Sequence, residues 1–174
     1  MALLAEEIVE EWLNRNGYFT IRGIKLGVHE IDLLAIALHG STIEARHIEV
    51  QASVRPVSYL CPLPRDAQKK TGRRPMSMKE RTPTELAEGV REWINKKYHH
   101  EAKRFLRSAL FPGEWKYELV VNRVKFPEEL QLLEEQGITI HKLDEIIDSL
   151  SRNQTIIQSA AGSNLLDLVM LGHE

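Results

Sequence analysis

Cysteine and long apolar runs are both scarce in this 174-residue chain, and each scarcity excludes something. One cysteine, Cys61, forbids an internal disulfide and leaves no Cys/His spacing for a structural zinc site. Apolar stretches such as Leu165-Leu166-Asp167-Leu168-Val169-Met170-Leu171 are too short to span a bilayer. The first residues, Met1-Ala2-Leu3-Leu4-Ala5-Glu6-Glu7, lack a basic region followed by an apolar core, so a cytoplasmic protein with no membrane partner is expected. No glycine-rich phosphate loop and no Ser/His/Asp set stands out, which removes the main rival enzyme classes.

With 43% hydrophobic and 28% charged residues, the chain suffices for one domain with a sizeable core. Its net charge of −2 conceals an asymmetry: 13 of the 23 Lys and Arg fall within residues 65–107. That stretch is net +7, between flanks of −3 and −6, and could present a basic patch to a polyanion. A solvated helix face explains such a cluster equally well.

Ala5 to Asn16 reads as an amphipathic helix, with Ile8, Val9, Trp12 and Leu13 on one stripe and Gly17 ending it. Tyr18 to Leu26, Glu30 to Leu38 and a third segment ending near Ser53 read as strands of a meander. Residues 54–82 hold Pro56, Pro62, Pro64, Gly72 and Pro75 among scattered cations, and are expected to form a mobile basic loop. Thr82-Pro83-Thr84-Glu85 is a capping box. From it one apolar stripe, Leu86, Val90, Ile94, Tyr98, Ala102, Phe105 and Ala109, implies one long helix or two in succession, with Lys96, Lys97, His99, His100, Lys103, Arg104 and Arg107 on the exposed side. A strand over 115–124, a helix over 127–136, a strand over 138–143 and a helix over 144–150 follow. The order αβββαβαβα implies a mixed β-sheet flanked by helices, one α/β domain over 1–152, with 153–174 a tail or a docking or oligomerisation helix.

Asp32 interrupts the apolar run Ile31 to Ile36, and Glu49 and Gln51 share one face of the third strand. A carboxylate in an otherwise buried strand is costly unless paired or metal-bound. If a hairpin sets Asp32 beside Glu49, a divalent cation relieves the repulsion. The bland readings are an edge-strand Asp32, a half-solvated third strand, and a Glu6 that simply favours its helix dipole.

Glu6 in the first helix, Asp32 in the second strand and Glu49-Val50-Gln51 in the third, in this element order, resemble the PD-(D/E)xK nuclease superfamily, especially its Holliday-junction-resolvase-like and Mrr-like branches. The resemblance implies a restriction-endonuclease-like fold and hydrolysis of phosphodiester bonds, with DNA the expected partner and a homodimer a natural assembly. It further implies Mg2+ or Mn2+ held by Asp32, Glu49, the Val50 carbonyl and Glu6, with Asp32, Glu49, Gln51 and Glu6 catalytic. The basic residues expected to contact nucleic acid are Lys69, Lys70, Arg73, Arg74, Lys96, Lys97, Lys103 and Arg104. Gln51 stands where the pattern has lysine, and can orient groups but not act as a base. Lysine sometimes migrates to the helix after the third strand, for which Lys96, Lys97 and Lys103 are candidates. Two alternatives stay open: a catalytically inactive nuclease-fold module that binds nucleic acid or a partner, and an unrelated α/β protein whose Asp32 and Glu49 never meet.

Overall fold

The computed structural model describes residues 2–53 and 55–158. Helix α1 (Ala2–Arg15) leads into strands β1 (Phe19–Leu26), β2 (His29–His39) and β3 (Thr42–Gln51). Helices α2 (Arg65–Thr71), α3 (Pro83–Lys97) and α4 (Glu101–Leu110) follow, then β4 (Trp115–Val121), α5 (Glu128–Glu135), β5 (Ile138–Lys142) and α6 (Leu143–Ser151). The sheet order is β1-β2-β3-β4-β5, antiparallel through β3 and parallel from β3 to β5. This is the mixed, helix-flanked α/β sheet implied by a meander followed by helical crossovers. The proposed tail falls largely on residues 159–174, outside the described residues.

Helices cover both faces of the sheet. Ile8, Val9 and Leu13 of α1 and Ile146 and Leu150 of α6 pack on Leu33, Ala35, Ile48 and Val120. On the other face Val90, Trp93 and Ile94 of α3 and Leu133 of α5 pack on Leu119, Val121 and Ile138. Burial on both faces explains the unbroken apolar run Leu119-Val120-Val121.

Residues 55–82, part of the stretch expected as a mobile basic loop, hold a helix and buried side chains. They carry α2, and Tyr59, Leu60, Cys61, Leu63 and Arg81 are buried. Glu129, itself buried, accepts the Leu60 and Cys61 amides at 2.5 and 2.9 Å, and Arg81 donates to the Cys61 carbonyl at 2.8 Å beneath the Tyr59 ring. These bonds fasten the segment through side chains far along the chain, which local composition does not record. Gly89 sits where α3 crosses it, since a Cβ there would lie 2.9 Å from the Pro62 carbonyl.

After Thr82 the chain forms two helices in succession, one of the two expected arrangements, but the single apolar stripe does not run through both. The capping box forms as read, but α3 stops at Lys97 and α4 starts at Glu101. Three non-helical residues reset the phase, so the apolar stripe does not continue. Phe105 is 77% exposed and Ala109 is exposed, whereas Lys103 and Arg107 are buried. The helix turns two cations inward because buried acceptors await them there.

Candidate active site

The β2–β3 ladder ends at the pair Leu33↔Ile48, one step before Asp32 would face Glu49. At that step the Asp32 side chain takes over from the backbone: its Oδ2 accepts the Val50 amide at 2.8 Å. Across the sheet Gly23, between the pairs Arg22↔Leu33 and Ile24↔Ile31, has φ +66, a backbone conformation that favours glycine. Both neighbouring strands thus depart from regularity where the carboxylate is inserted.

Glu49 is fully buried and saturated by cations and donors. Its Oε2 accepts Lys97 Nζ at 2.6 Å, and its Oε1 accepts Lys103 Nζ at 2.9 Å and lies 3.0 Å from His47 Nε2. Lys103 also donates to the Lys97 carbonyl at 2.8 Å, so one ammonium ties α4 to the end of α3 and to β3. Charge-assisted bonds of this kind are what make such a buried carboxylate tolerable.

His47 extends the chain of contacts away from Glu49. Its Nδ1 lies 2.8 Å from Arg107 Nη1. A guanidinium can only donate, so His47 Nδ1 accepts and the ring proton sits on Nε2, pointing at Glu49. Arg107 is itself held by the Tyr98 carbonyl at 2.8 Å and the Tyr117 hydroxyl at 3.3 Å. Burial pushes His47 down to about 4, which keeps it neutral near pH 7.

The two carboxylates titrate in opposite directions. Burial lifts Asp32 to about 7, and the Glu49 charge adds to the rise, against the opposing pull of Lys97 and the Val50 amide. Burial would lift Glu49 as well, but His47, Lys97 and Lys103 outweigh it and hold Glu49 at about 2. Lys97 is raised, since Glu49 and Asp32 overcome its burial; in Lys103 burial wins and lowers it. Glu6 is raised by burial and by Glu30, and also feels Glu49 and Lys97, which places it at the rim of the same cluster.

Lys97 and Lys103, two of the three lysines considered for a displaced position, meet at Glu49, whose charge also acts on Asp32 and Glu6. Lys97 and Lys103 point into the cluster, which corrects their assignment to an exposed basic face: Lys103 is 1% exposed and cannot reach a polyanion in this arrangement. Arg73 is likewise engaged, by Glu85. Lys69, Lys70, Arg74, Lys96 and Arg104 are exposed. Gln51 ends β3 half-buried, and its amide has no hydrogen-bond partner among the described residues. Arg107 and Tyr117 had no place in the motif. Their contribution depends on the turn between α3 and α4, for which the sequence carries no periodic signal.

Among the described residues no three His, Cys, Asp or Glu side chains converge as a ready-made cation cage. The donors that could take a hard cation are nonetheless oxygens. Asp32 keeps Oδ1 free of the Val50 bond, and its pKa is raised by burial first and by the Glu49 charge second.

No protein-family model and no curated protein matches the chain. A crystal structure of a protein of unknown function, AF1548, superposes with a TM-score of 0.43 at 14% identity, over 84% of this chain and 66% of that one. This chain thus spans a little under two thirds of that protein's length.

Proposed function

We propose that the chain is a metal-dependent nuclease acting on nucleic acid, DNA in the first place, in which the lysine of the PD-(D/E)xK pattern comes from α3 rather than from β3. The observation that carries this reading is Lys97 Nζ at 2.6 Å from Glu49 Oε2, on the carboxylate that shares its site with Asp32. Gln51 then departs from the pattern without loss, because the cation it lacks is delivered from 46 positions further along the chain.

Asp32 and Glu49, with the Val50 carbonyl and with Glu6 at the rim, would hold Mg2+ or Mn2+. When bound, such an ion lowers the pKa of a coordinated water and offsets charge on a phosphodiester. The chain's own residues do the rest. Arg107 fixes the His47 tautomer, His47 and Lys103 orient Glu49, and Lys97 is placed to hold the attacking water or a phosphate oxygen by its remaining N–H groups.

The alternative of an inactive nuclease-fold module is favoured by one specific observation. Both Glu49 oxygens are already engaged by ammonium groups, so the carboxylate is neutralised without any further cation. Cleavage of linear, branched and single-stranded DNA with Mg2+ or Mn2+ separates the readings. Cleavage by wild type that falls about 10²-fold in Lys97→Met, the scale of losing one positioned group, supports the first. Binding without cleavage by wild type supports the second, and neither binding nor cleavage removes both.

A further inference from the structure

At the starts of β2 and α4 two histidines from distant parts of the chain meet. His29 opens β2 three residues before Asp32, and His100 precedes α4 three residues before Lys103. Their ring centroids are 3.6 Å apart with planes tilted by 32°. Both rings are half-buried and keep contact with solvent.

His100 has a settled tautomer. Its Nδ1 accepts the Ala102 amide at 3.3 Å as the N-cap of α4, so in the neutral ring the proton is on Nε2 and that edge donates. The charges acting on His29 are all positive: His100, Lys103 from α4 and Lys96 from α3. The neighbouring acid Glu30 acts on Glu6 and Lys97 instead. Glu101, the residue after His100, is exposed in the first turn of α4 and does not act on His29. Burial and these cations depress the His29 pKa, the behaviour of a group that lacks a counter-charge.

We propose that His29 and His100, with Lys96 beside them, form an anion subsite that takes a phosphate of the nucleic-acid backbone next to the one held at Asp32 and Glu49. This rests on the nuclease reading and adds a substrate contact to it. An anion at the edge of the stacked pair supplies the missing counter-charge, receives the Nε2–H of His100, and makes protonation of His29 easier. Binding and protonation are then linked: each unit by which the anion raises the His29 pKa adds up to a tenfold gain in affinity on acidification, the full factor being reached only below both pKa values.

The test is histidine-resolved NMR titration of the full chain without divalent metal, alone, with inorganic phosphate, and with a short DNA duplex. Alongside it, duplex affinity is measured at pH 8 and pH 6 in wild type, His29→Gln and His100→Asn, the last keeping an N-cap acceptor for α4. The expected result is that duplex raises the His29 pKa by about one unit and that wild type gains roughly three- to sixfold more affinity than His29→Gln between pH 8 and pH 6. Comparing against His29→Gln removes the titration of Asp32, which both proteins share. Duplex that binds while leaving both rings and the pH dependence untouched overturns the subsite and spares the nuclease reading. Rings that respond to inorganic phosphate but not to bound duplex overturn the assignment to a nucleic-acid backbone. Duplex that binds to none of the three proteins at either pH sinks the nucleic-acid reading and this inference with it.

Discussion

Lys103 of α4 and Glu49 of β3, 54 residues apart, form an ion pair of 2.9 Å with the two side chains 2% and 0% exposed. Such a pair is inseparable in energetic terms: taking away one member strands the other in the interior. Lys103→Met is expected to cost about 3 kcal/mol of unfolding free energy, and Glu49→Gln a similar amount. The double variant should cost at least about 1 kcal/mol less than the two losses added together. Urea unfolding of the four proteins measures this, and strict additivity would mean that the pair is not coupled.

The pH dependence of stability carries a signature of Asp32. Its pKa in the folded state, about 7, lies above its ordinary 3.8, so the folded protein holds this proton more tightly. The contribution is fully present below pH 4 and is lost as pH rises toward 7. His47 runs the other way: lowered from 6.5 to about 4, it contributes stability above pH 6.5 that is lost as pH falls toward 4. Asp32→Asn removes only the first effect. Relative to wild type, the variant should gain stability between pH 4 and pH 7, by at most about 1.4 kcal/mol per pH unit. A stability difference that does not change across that window would show that Asp32 ionises normally.

Metal binding should follow the same proton. Mn2+ at about 100 times its dissociation constant is expected to stabilise wild type by about 2.7 kcal/mol at pH 8. The effect should weaken by pH 6, because Asp32 must lose its proton to act as a ligand, and vanish in Asp32→Asn. Thermal unfolding with and without Mn2+ reads it directly. Equal shifts in wild type and variant would place any bound ion elsewhere.

The orientation of α4 is testable without any assumption about function. Phe105 points to solvent while Leu106 packs against the cluster of Ile31, Leu34, Ala45 and Trp115. Phe105→Ser should change stability by no more than about 0.5 kcal/mol, and Leu106→Ala should cost about 1 kcal/mol or more. The reverse order would mean that the apolar stripe of α3 runs on through α4 after all.

Patterns of neighbouring residues made much of this protein legible. The amphipathic spacing of α1, the capping box of α3, the meander of β1 to β3 and the doubly buried β4 can each be read from adjacent side chains, because periodicity and turn chemistry are local. The same holds for the suspicion attached to Asp32, a charge inside an apolar run. The basic stretch was visible too, but its division was not: Lys97, Lys103, Arg73 and Arg107 face protein acceptors, while Lys69, Lys70, Arg74, Lys96 and Arg104 face solvent.

That division belongs to the tertiary structure alone. Whether a lysine is a surface cation or the partner of a buried carboxylate depends on where a strand from residues 42–51 lies relative to helices that end and begin near residue 100. The break after Lys97 rotates α4 so that Phe105 leaves the interior and Lys103 enters it, against the hydrophobic preference of each residue taken singly. The sequence determined which segments are helices and strands and which charges are out of place in them. Only the folded chain decided which opposite charges would meet, because an ion pair between residues 49 and 103 rests on three-dimensional distance, and no local rule of spacing encodes it.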